Sequence, residues 1–263
     1  MRELYVNNFS LIHQLDARVK IIFTLAFIVF LNLTPLKAWP AYILFLTLSL
    51  SVTLFSRLGI GLVLRRAFLA LPFVLAALPL IFIGSPPYVA VPFFPEIPVY
   101  FSLEGLGRFT SIALRSWISV QAAILLTATT RFPDLLIALR QLKIPKLFVA
   151  IIGLMWRYLF VIGEEVIRMM RARASRSATV LGSHQAHGAL YWRARVTGSM
   201  AGNLFLRSLE RSDRVYAAML SRGYTGDLPI CEAQPLSRKE KLVLLLGIFL
   251  LVLLWVLGVL TGG

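Results

Sequence analysis

The chain has 263 residues, 58% of them apolar, with a mean hydropathy of +0.79 and a net charge of +15. Soluble domains run near 45–50% apolar and about 25% charged, so a chain only 15% charged is not composed like one. Nucleic-acid binding would account for the basic charge but not for the apolar runs. Apolar spans in lipid with Lys and Arg beside them account for both.

Residues 1–20 carry Glu3, Asp16, Arg18 and Lys20, and no cleavage pattern follows the first apolar run. That run is therefore expected to stay as a span. Five stretches approach the ~20 residues that cross a ~30 Å hydrocarbon core: 19–36, 40–56, 67–84, 109–130 and 242–260. Pro72 and Pro79 fall inside the third, as kinks that membrane helices tolerate. The stretch 85–102 interleaves Pro86, Pro87, Pro92, Pro95 and Pro98 with aromatics. It reads as an irregular interfacial connector, because proline blocks helix and aromatics favour the headgroup layer. Arg115 lies within the fourth span, either as a functional group or as a side chain snorkelling to the headgroups.

With the N-terminus in the cytoplasm, Arg2, Arg18 and Lys20, then Arg57, Arg65 and Arg66, fall inside, and only Lys37 and Arg108 fall outside. The short segments thus agree with the positive-inside bias. A sixth apolar run, 147–162, has 16 residues and contains Arg157. If it crossed, 13 Lys and Arg between Arg168 and Lys241 would lie outside. It is read instead as the apolar half of a long helix lying on the membrane domain or at the interface.

Residues 131–241 form a basic island with 18 Lys/Arg against 8 Asp/Glu. A short helix starts near Pro133 and ends before Pro145, the usual proline punctuation. Two long helices come next, over about 146–177 and 189–222, separated by ATVLGSHQAHG at 178–188. Each long helix should extend about 45 Å. Gly198 and Gly202, four residues apart, and Gly153 on the preceding helix mark a place where two backbones could approach and cross. The long helices end in Ser175-Arg176-Ser177 and Ser221-Arg222-Gly223, and Gly223 suits the left-handed residue after a helix end. Small neighbours leave each guanidinium free to enter a groove, where its planar fork matches a carboxylate. Arg173, in Ala172-Arg173-Ala174, is the alternative register for the first string.

The expected fold is an all-α membrane protein with about five transmembrane helices plus a cytoplasmic domain of one short and two long crossed helices. Its expected divisions are 1–130 (four spans), 131–241 (cytoplasmic helices) and 242–263 (last span and an outside C-terminus).

At these residues the chain resembles the transmembrane T component of energy-coupling factor (ECF) transporters, which are ABC-type importers. Ala218-Met219-Leu220-Ser221-Arg222-Gly223-Tyr224-Thr225-Gly226 is similar to that family's second arginine triplet and its surroundings. Arg171 to Ser177 is similar to the first, with serine where alanine is usual in both and Ser177 in place of glycine. His13-Gln14-Leu15-Asp16-Ala17-Arg18-Val19-Lys20 resembles the family's H-x-L-D-x-R-x-K entry to the first span, and Leu142-Lys143-Ile144-Pro145 its L-x-x-P turn. Trp39 and the stretch from Pro145 to Glu165 look most like the cobalt/nickel subgroup.

The resemblance implies a non-catalytic subunit of the cell membrane of a bacterium or archaeon. It would pass ATP-driven movement of two cytoplasmic ATPase subunits to a membrane-embedded substrate-capture protein, for uptake of a transition-metal ion, cobalt, with nickel or a vitamin as alternatives. The arginine triplets would dock the ATPases. ATP would be used by the partners, no cofactor or metal would bind this chain, and membrane lipid rather than nucleic acid would surround it.

Other classes find less support. The chain has no G-x-x-x-x-G-K-[ST] loop for a nucleotide. His13, His184 and His187 are its only histidines, with no carboxylate or cysteine cluster beside the latter two. The lone Cys231 excludes an internal disulfide and reads as an inert thiol. A self-contained permease should show an inverted repeat with a polar midplane site, and neither is visible. His13, beside Asp16, is expected to cap or orient the entry to the first helix.

Overall fold

The structure is a computed structural model and describes residues 5–6, 10–81, 88–94, 97–176, 189–226 and 236–262. The chain divides into two compact units: Arg2–Leu142 with Ala233–Gly263, and Lys143–Glu232. The divisions fall at 142/143 and 232/233, rather than at the expected 130/131 and 241/242.

The first unit opens with α1 (Leu11–Gln14) and α2 (Ala17–Leu33), followed by α3 (Trp39–Phe55). Asp16 caps α2, its Oδ1 accepting from the Arg18 amide at 2.8 Å, a standard use of Asp at an N-cap. Next come α4 (Ile60–Ala67), a 3-10 turn, α5 (Leu71–Ala76) and a second 3-10 turn, Leu78–Ile81. The third expected span, 67–84, is therefore not one helix. Pro72 is the second residue of α5 and Pro79 lies in the second 3-10 turn. Each proline removes a backbone donor and pushes on the preceding turn.

The expected irregular connector also takes another form. Tyr88–Phe94 (β1) and Ile97–Ser102 (β2) pair antiparallel, Tyr88 opposite Ser102 and Val91 opposite Val99, with the register shifting between Pro92 and Phe94. The fold is all-helical as expected, with one two-stranded hairpin added among the described residues. Prolines forbid helix here, but the alternating Val, Ile, Tyr and Phe favour strand. A two-stranded hairpin has only edge strands, where proline is tolerated.

After the hairpin come α6 (Leu103–Thr129), α7 (Phe132–Gln141) and, after the second unit, α10 (Arg238–Gly262). α6 and α10 are long and apolar enough to cross a membrane. α2 and α3, at 17 residues each, sit at the lower end of the spanning range. The chain is a multi-pass membrane protein. α7 packs on α2, which is why it belongs with the membrane helices rather than with the rest of the basic island.

The core of this unit is Phe27 and Leu31 of α2, Tyr42 and Phe45 of α3, Ile118 and Ala122 of α6, and Leu251 and Leu254 of α10. Lipid is as apolar as these side chains, so association rests on close packing and interhelical hydrogen bonds. Close packing is visible on α10. A Cβ added at Gly258 would lie 2.8 Å from Thr34 Cγ2 and 3.1 Å from Ala41 Cβ. Gly258→Leu should therefore push α10 off the α2–α3 pair and cost about 1–3 kcal/mol. Thermal unfolding in detergent should show the loss, whereas Gly61→Ala, with nothing within 4 Å, should show none.

Hydrogen bonds concentrate at the two ends of α2. At its C-terminus, four successive carbonyls each accept from a side chain of another helix. Trp255 Nε1 donates to Leu33 O at 3.4 Å, and Arg115 Nη2 donates to Thr34 O. Tyr42 Oη donates to Pro35 O at 2.9 Å, and Ser111 Oγ to Leu36 O at 2.7 Å. Leu33 and Thr34 close α2, and their carbonyls are ones that a helix end leaves unpaired; lipid offers such groups no water.

The second unit contains α8 (Lys146–Arg176) and α9 (Ala189–Ser221), within one residue of the expected limits. By length and apolarity α8 would also qualify as a span. It differs from α6 and α10 in its basic second half.

Candidate coupling site

α8 and α9 run in opposite directions past each other. Glu165 of α8 accepts from Arg207 Nη1 of α9 at 2.6 Å, and Arg173 Nη1 of α8 donates to Thr197 Oγ1 of α9 at 3.0 Å. Arg168 Nη2 also reaches Glu165, at 2.9 Å. The Arg207 hydrogen bond, with the charges of Arg168, Arg207 and Arg211, holds the Glu165 carboxyl below its ordinary value against a smaller opposing effect of burial. Glu165 and Arg207 line grooves on both sides of this contact.

One groove, of about 520 Å³, runs between the apolar half of α8 (Leu154, Tyr158, Ile162) and the end of α9 (Val215, Tyr216, Met219). The other, of about 690 Å³, contains Arg168, Arg173, Arg176 and Trp192. Long side chains thus bridge the helices, in place of the expected close backbone contact. Among the described residues nothing lies within 4 Å of a Cβ placed at Gly198 or Gly202, so no close backbone contact is made there. Gly153 is half-buried in α8, twelve residues before Glu165.

The two arginine strings form similar helix ends. Ser175 Oγ donates to Ala172 O at 2.9 Å, and Ser221 Oγ donates to Ala218 O at 3.0 Å. Each serine folds back three residues onto its own helix and satisfies a carbonyl that the helix end would otherwise leave open. Arg176 and Arg222 come directly after these serines. Both are exposed, and among the described residues neither guanidinium makes a hydrogen bond or ion pair. Ser177 lies outside the described residues.

At the second string, Gly223 has φ +81°, the Tyr224 amide donates to Met219 O at 3.0 Å, and the Gly223 amide donates to Leu220 O at 2.9 Å. This is the paired-bond ending that requires a left-handed residue, where glycine carries no Cβ penalty. The helix stops at Ser221, and Arg222 stands on its rim.

Arg173 is placed differently. Besides its bond to Thr197, its guanidinium stacks 5.9 Å from the Trp192 ring centre, and it is half-buried. It holds the two helices together, leaving Arg176 as the outward arginine of the first string.

The H-x-L-D-x-R-x-K segment forms a second polar cluster, in the first unit. His13 Nε2 bonds Val6 O at 3.2 Å and its Nδ1 bonds Ser10 Oγ at 2.6 Å. The Val6 carbonyl can only accept, so Nε2 carries a proton, while the Ser10 hydroxyl can donate to Nδ1 of a neutral ring or accept from it in a charged one. Burial, together with the charge of Lys20, outweighs the Val6 hydrogen bond and lowers the His13 pKa below 6.5. Its contribution to stability is therefore present above pH 6.5 and lost as pH falls through the lowered value. Thermal stability in detergent should decline below about pH 6.5, and His13→Gln should flatten that part of the profile. Among the described residues, no group of three His, Cys, Asp or Glu could hold a metal ion. His184, His187 and Cys231 lie outside the described residues.

Sequence reasoning missed two further polar links: Lys20 to Thr129 O, and Arg115 to Thr34 O and Tyr42. Arg115 at least carried a signal, a lone charge within the apolar stretch 109–130.

A multi-pass helical bundle joined to a basic pair of helices, each ending in an exposed arginine, defines a membrane protein built to work with other subunits. The family model described as CbiQ, cobalt transport protein, matches residues 8–230, and the chain belongs to that family. It is 28% identical to the energy-coupling factor transporter transmembrane protein EcfT of Thermosediminibacter oceani, over 86% of this chain and 86% of that protein. It is 28% identical to the uncharacterized protein MJ1571 of Methanocaldococcus jannaschii, over 96% of this chain and 84% of that one. It is 25% identical to the putative fused cobalt transport protein CbiMQ of Methanocorpusculum labreanum, over 86% of this chain but 37% of that longer protein. The chain is a transmembrane component of an ECF-type transporter.

Proposed function

We propose that this chain is the non-catalytic coupling subunit of an ECF-type importer. It transmits movement of two cytoplasmic ATPase subunits to a membrane-embedded substrate-capture protein. The observation that carries this reading is the pair of equivalent helix ends: Ser175-Arg176 and Ser221-Arg222 present two outward guanidiniums, each behind a serine bonded three residues back. Two like sites suit two like partners, and a planar guanidinium fork suits a carboxylate on each.

The substrate is a transition-metal ion, cobalt in the first instance. The family's description and the fused relative's name support cobalt, with nickel next. The metal and its selecting ligands belong to the capture protein, and ATP to the ATPases. The N-terminus and the α8–α9 unit lie in the cytoplasm and the C-terminus outside, as the short basic segments favour. α8 does not cross: its apolar half lies at the membrane interface, which keeps the basic second half on the cytoplasmic side.

Co-expression with candidate ATPase and capture-protein subunits, followed by pull-down and uptake of cobalt, nickel and vitamins, tests this. Uptake by the chain alone, without ATPases, would overturn the coupling reading. ATP-dependent vitamin uptake without metal uptake would overturn the metal assignment.

A further inference from the structure

Lys20 is only 8% exposed, on the first turn of α2. Its Nζ donates to His13 O at 3.1 Å and to Thr129 O at 3.2 Å. Asp16 and Asp134 line the same cavity, of about 280 Å³, and both carboxylates attract the ammonium. One charge thus ties the end of α1 and the start of α2 to the last carbonyls of α6, opposite an acid on α7. A cation at the C-terminus of a helix also meets the negative end of its dipole.

Lys20 sits beside a corner of the chain. α6 turns into α7 through Thr130 and Arg131, both in extended conformation. Such a two-residue corner between helices is free to swing unless something holds it. The Val6 amide bonds Ala128 O at 3.1 Å, and Arg131 stacks 5.1 Å from the Tyr5 ring. Lys20 is the buried charge among these fastenings. α7 then leads in one short turn to α8: the Leu142 amide bonds Ala138 O at 2.9 Å, Lys143 takes φ +65°, and Pro145 precedes Lys146. On this side of the chain, α8 is therefore joined to the membrane unit through α7 and its corner.

Burying an ammonium is unfavourable relative to an apolar side chain of similar length unless it is well paired. Stability alone does not call for lysine here; a joint that must not slip does. We infer that Lys20 is a positioning residue for energy coupling. It locks the α6–α7 corner so that movement delivered to α8 is passed to α2 and α6 instead of being absorbed at the corner. This rests on the coupling reading above.

The test uses the full complex, the chain with its ATPases and capture protein, reconstituted in liposomes, with metal uptake and ATP hydrolysis measured together. Lys20→Met should keep the ATPases bound and hydrolysis within about twofold of wild type, while metal carried per ATP falls about tenfold. Lys20→Arg, which retains charge and donors, should recover most of the ratio. Equal loss of uptake and hydrolysis, or no change in the ratio, overturns the inference. If Lys20→Met does not accumulate in the membrane, Asp134→Asn gives the same readout with the lysine in place. Its ratio should fall about twofold to threefold, and an unchanged ratio overturns the inference. Failure of the wild-type chain to hold the ATPases, read on the same preparation, would instead sink the coupling reading.

Discussion

Replacing Arg176 and Arg222 together with alanine is expected to leave the chain in the membrane but abolish both its co-purification with the ATPases and uptake. Neither guanidinium has a partner among the described residues and neither packs in a core, so the free chain loses little when they are removed. In the assembled transporter each should be buried against a carboxylate. Removing one member of such a pair costs about 2–5 kcal/mol, or about thirtyfold or more in affinity for each arginine. Each single variant should therefore weaken the complex, and the double variant should lose it. Arg173→Ala is the informative contrast. That arginine is engaged with Thr197 and Trp192, so its loss should loosen the α8–α9 pair by about 0.5–1.5 kcal/mol and spare the docking point. Pull-down of the ATPases from detergent-solubilised membranes, beside a melting curve of each variant, separates the two effects. Loss of the ATPases from Arg173→Ala with retention by Arg176→Ala would reverse the register, and retention by the double variant would end the docking proposal.

How much of the fold is legible in the sequence depends on how local each signal is. The limits of α7, α8 and α9 are readable because Pro133, Pro145 and Gly223 punctuate them. The left-handed Gly223 is readable because few residues end a helix that way. The hairpin at 88–102 is not: its prolines announce only the absence of helix and mask the strand preference of the residues between them. The third apolar run is long enough to span but too rich in proline to stay one helix. The contacts that shape the two units escape for a different reason. Lys20 and Thr129 are 109 residues apart, and Arg115 and Thr34 are 81 apart, so no window of sequence contains both partners. The α8–α9 contact shows the same limit: glycines four apart suggest close backbones, while Glu165 and Arg207, which make the bridge, look like ordinary surface charges. Charge placement in apolar surroundings still locates the important cations, Lys20 and Arg115, without revealing what they hold. Structure adds that they sit at opposite ends of α2, each bonded to helix-terminal carbonyls.

Arg115→Leu is expected to be among the most damaging single changes to the membrane unit, although the substitution suits an apolar helix by hydropathy alone. Arg115 Nε and Nη2 donate to Tyr42 Oη at 2.9 and 2.7 Å, Nη2 also donates to Thr34 O, and the guanidinium lies 5.5 Å from the Tyr42 ring centre. Thr34 and Tyr42 are each 1% exposed. Leucine would leave the Thr34 carbonyl and one acceptor site of the tyrosine without a partner in a medium that supplies none. At about 1–3 kcal/mol for each unsatisfied buried group, the loss should reach about 2–4 kcal/mol. Tyr42→Phe should cost less, since Arg115 keeps the Thr34 carbonyl and Pro35 O keeps the Ala38 amide at 3.3 Å. Arg115→Lys should be intermediate, because an ammonium can reach one acceptor but does not reproduce the planar fork. The ranking Leu worse than Lys, with Tyr42→Phe the mildest, is checked by thermal unfolding of the purified chain in detergent. A snorkelling arginine predicts another order: leucine would be neutral or stabilising, and Tyr42→Phe would not matter. A guanidinium holding three helices together at the end of α2 fixes how α3 and α6 meet it, so on the coupling proposal the Leu variant should lose uptake while Arg176 and Arg222 keep their docking role.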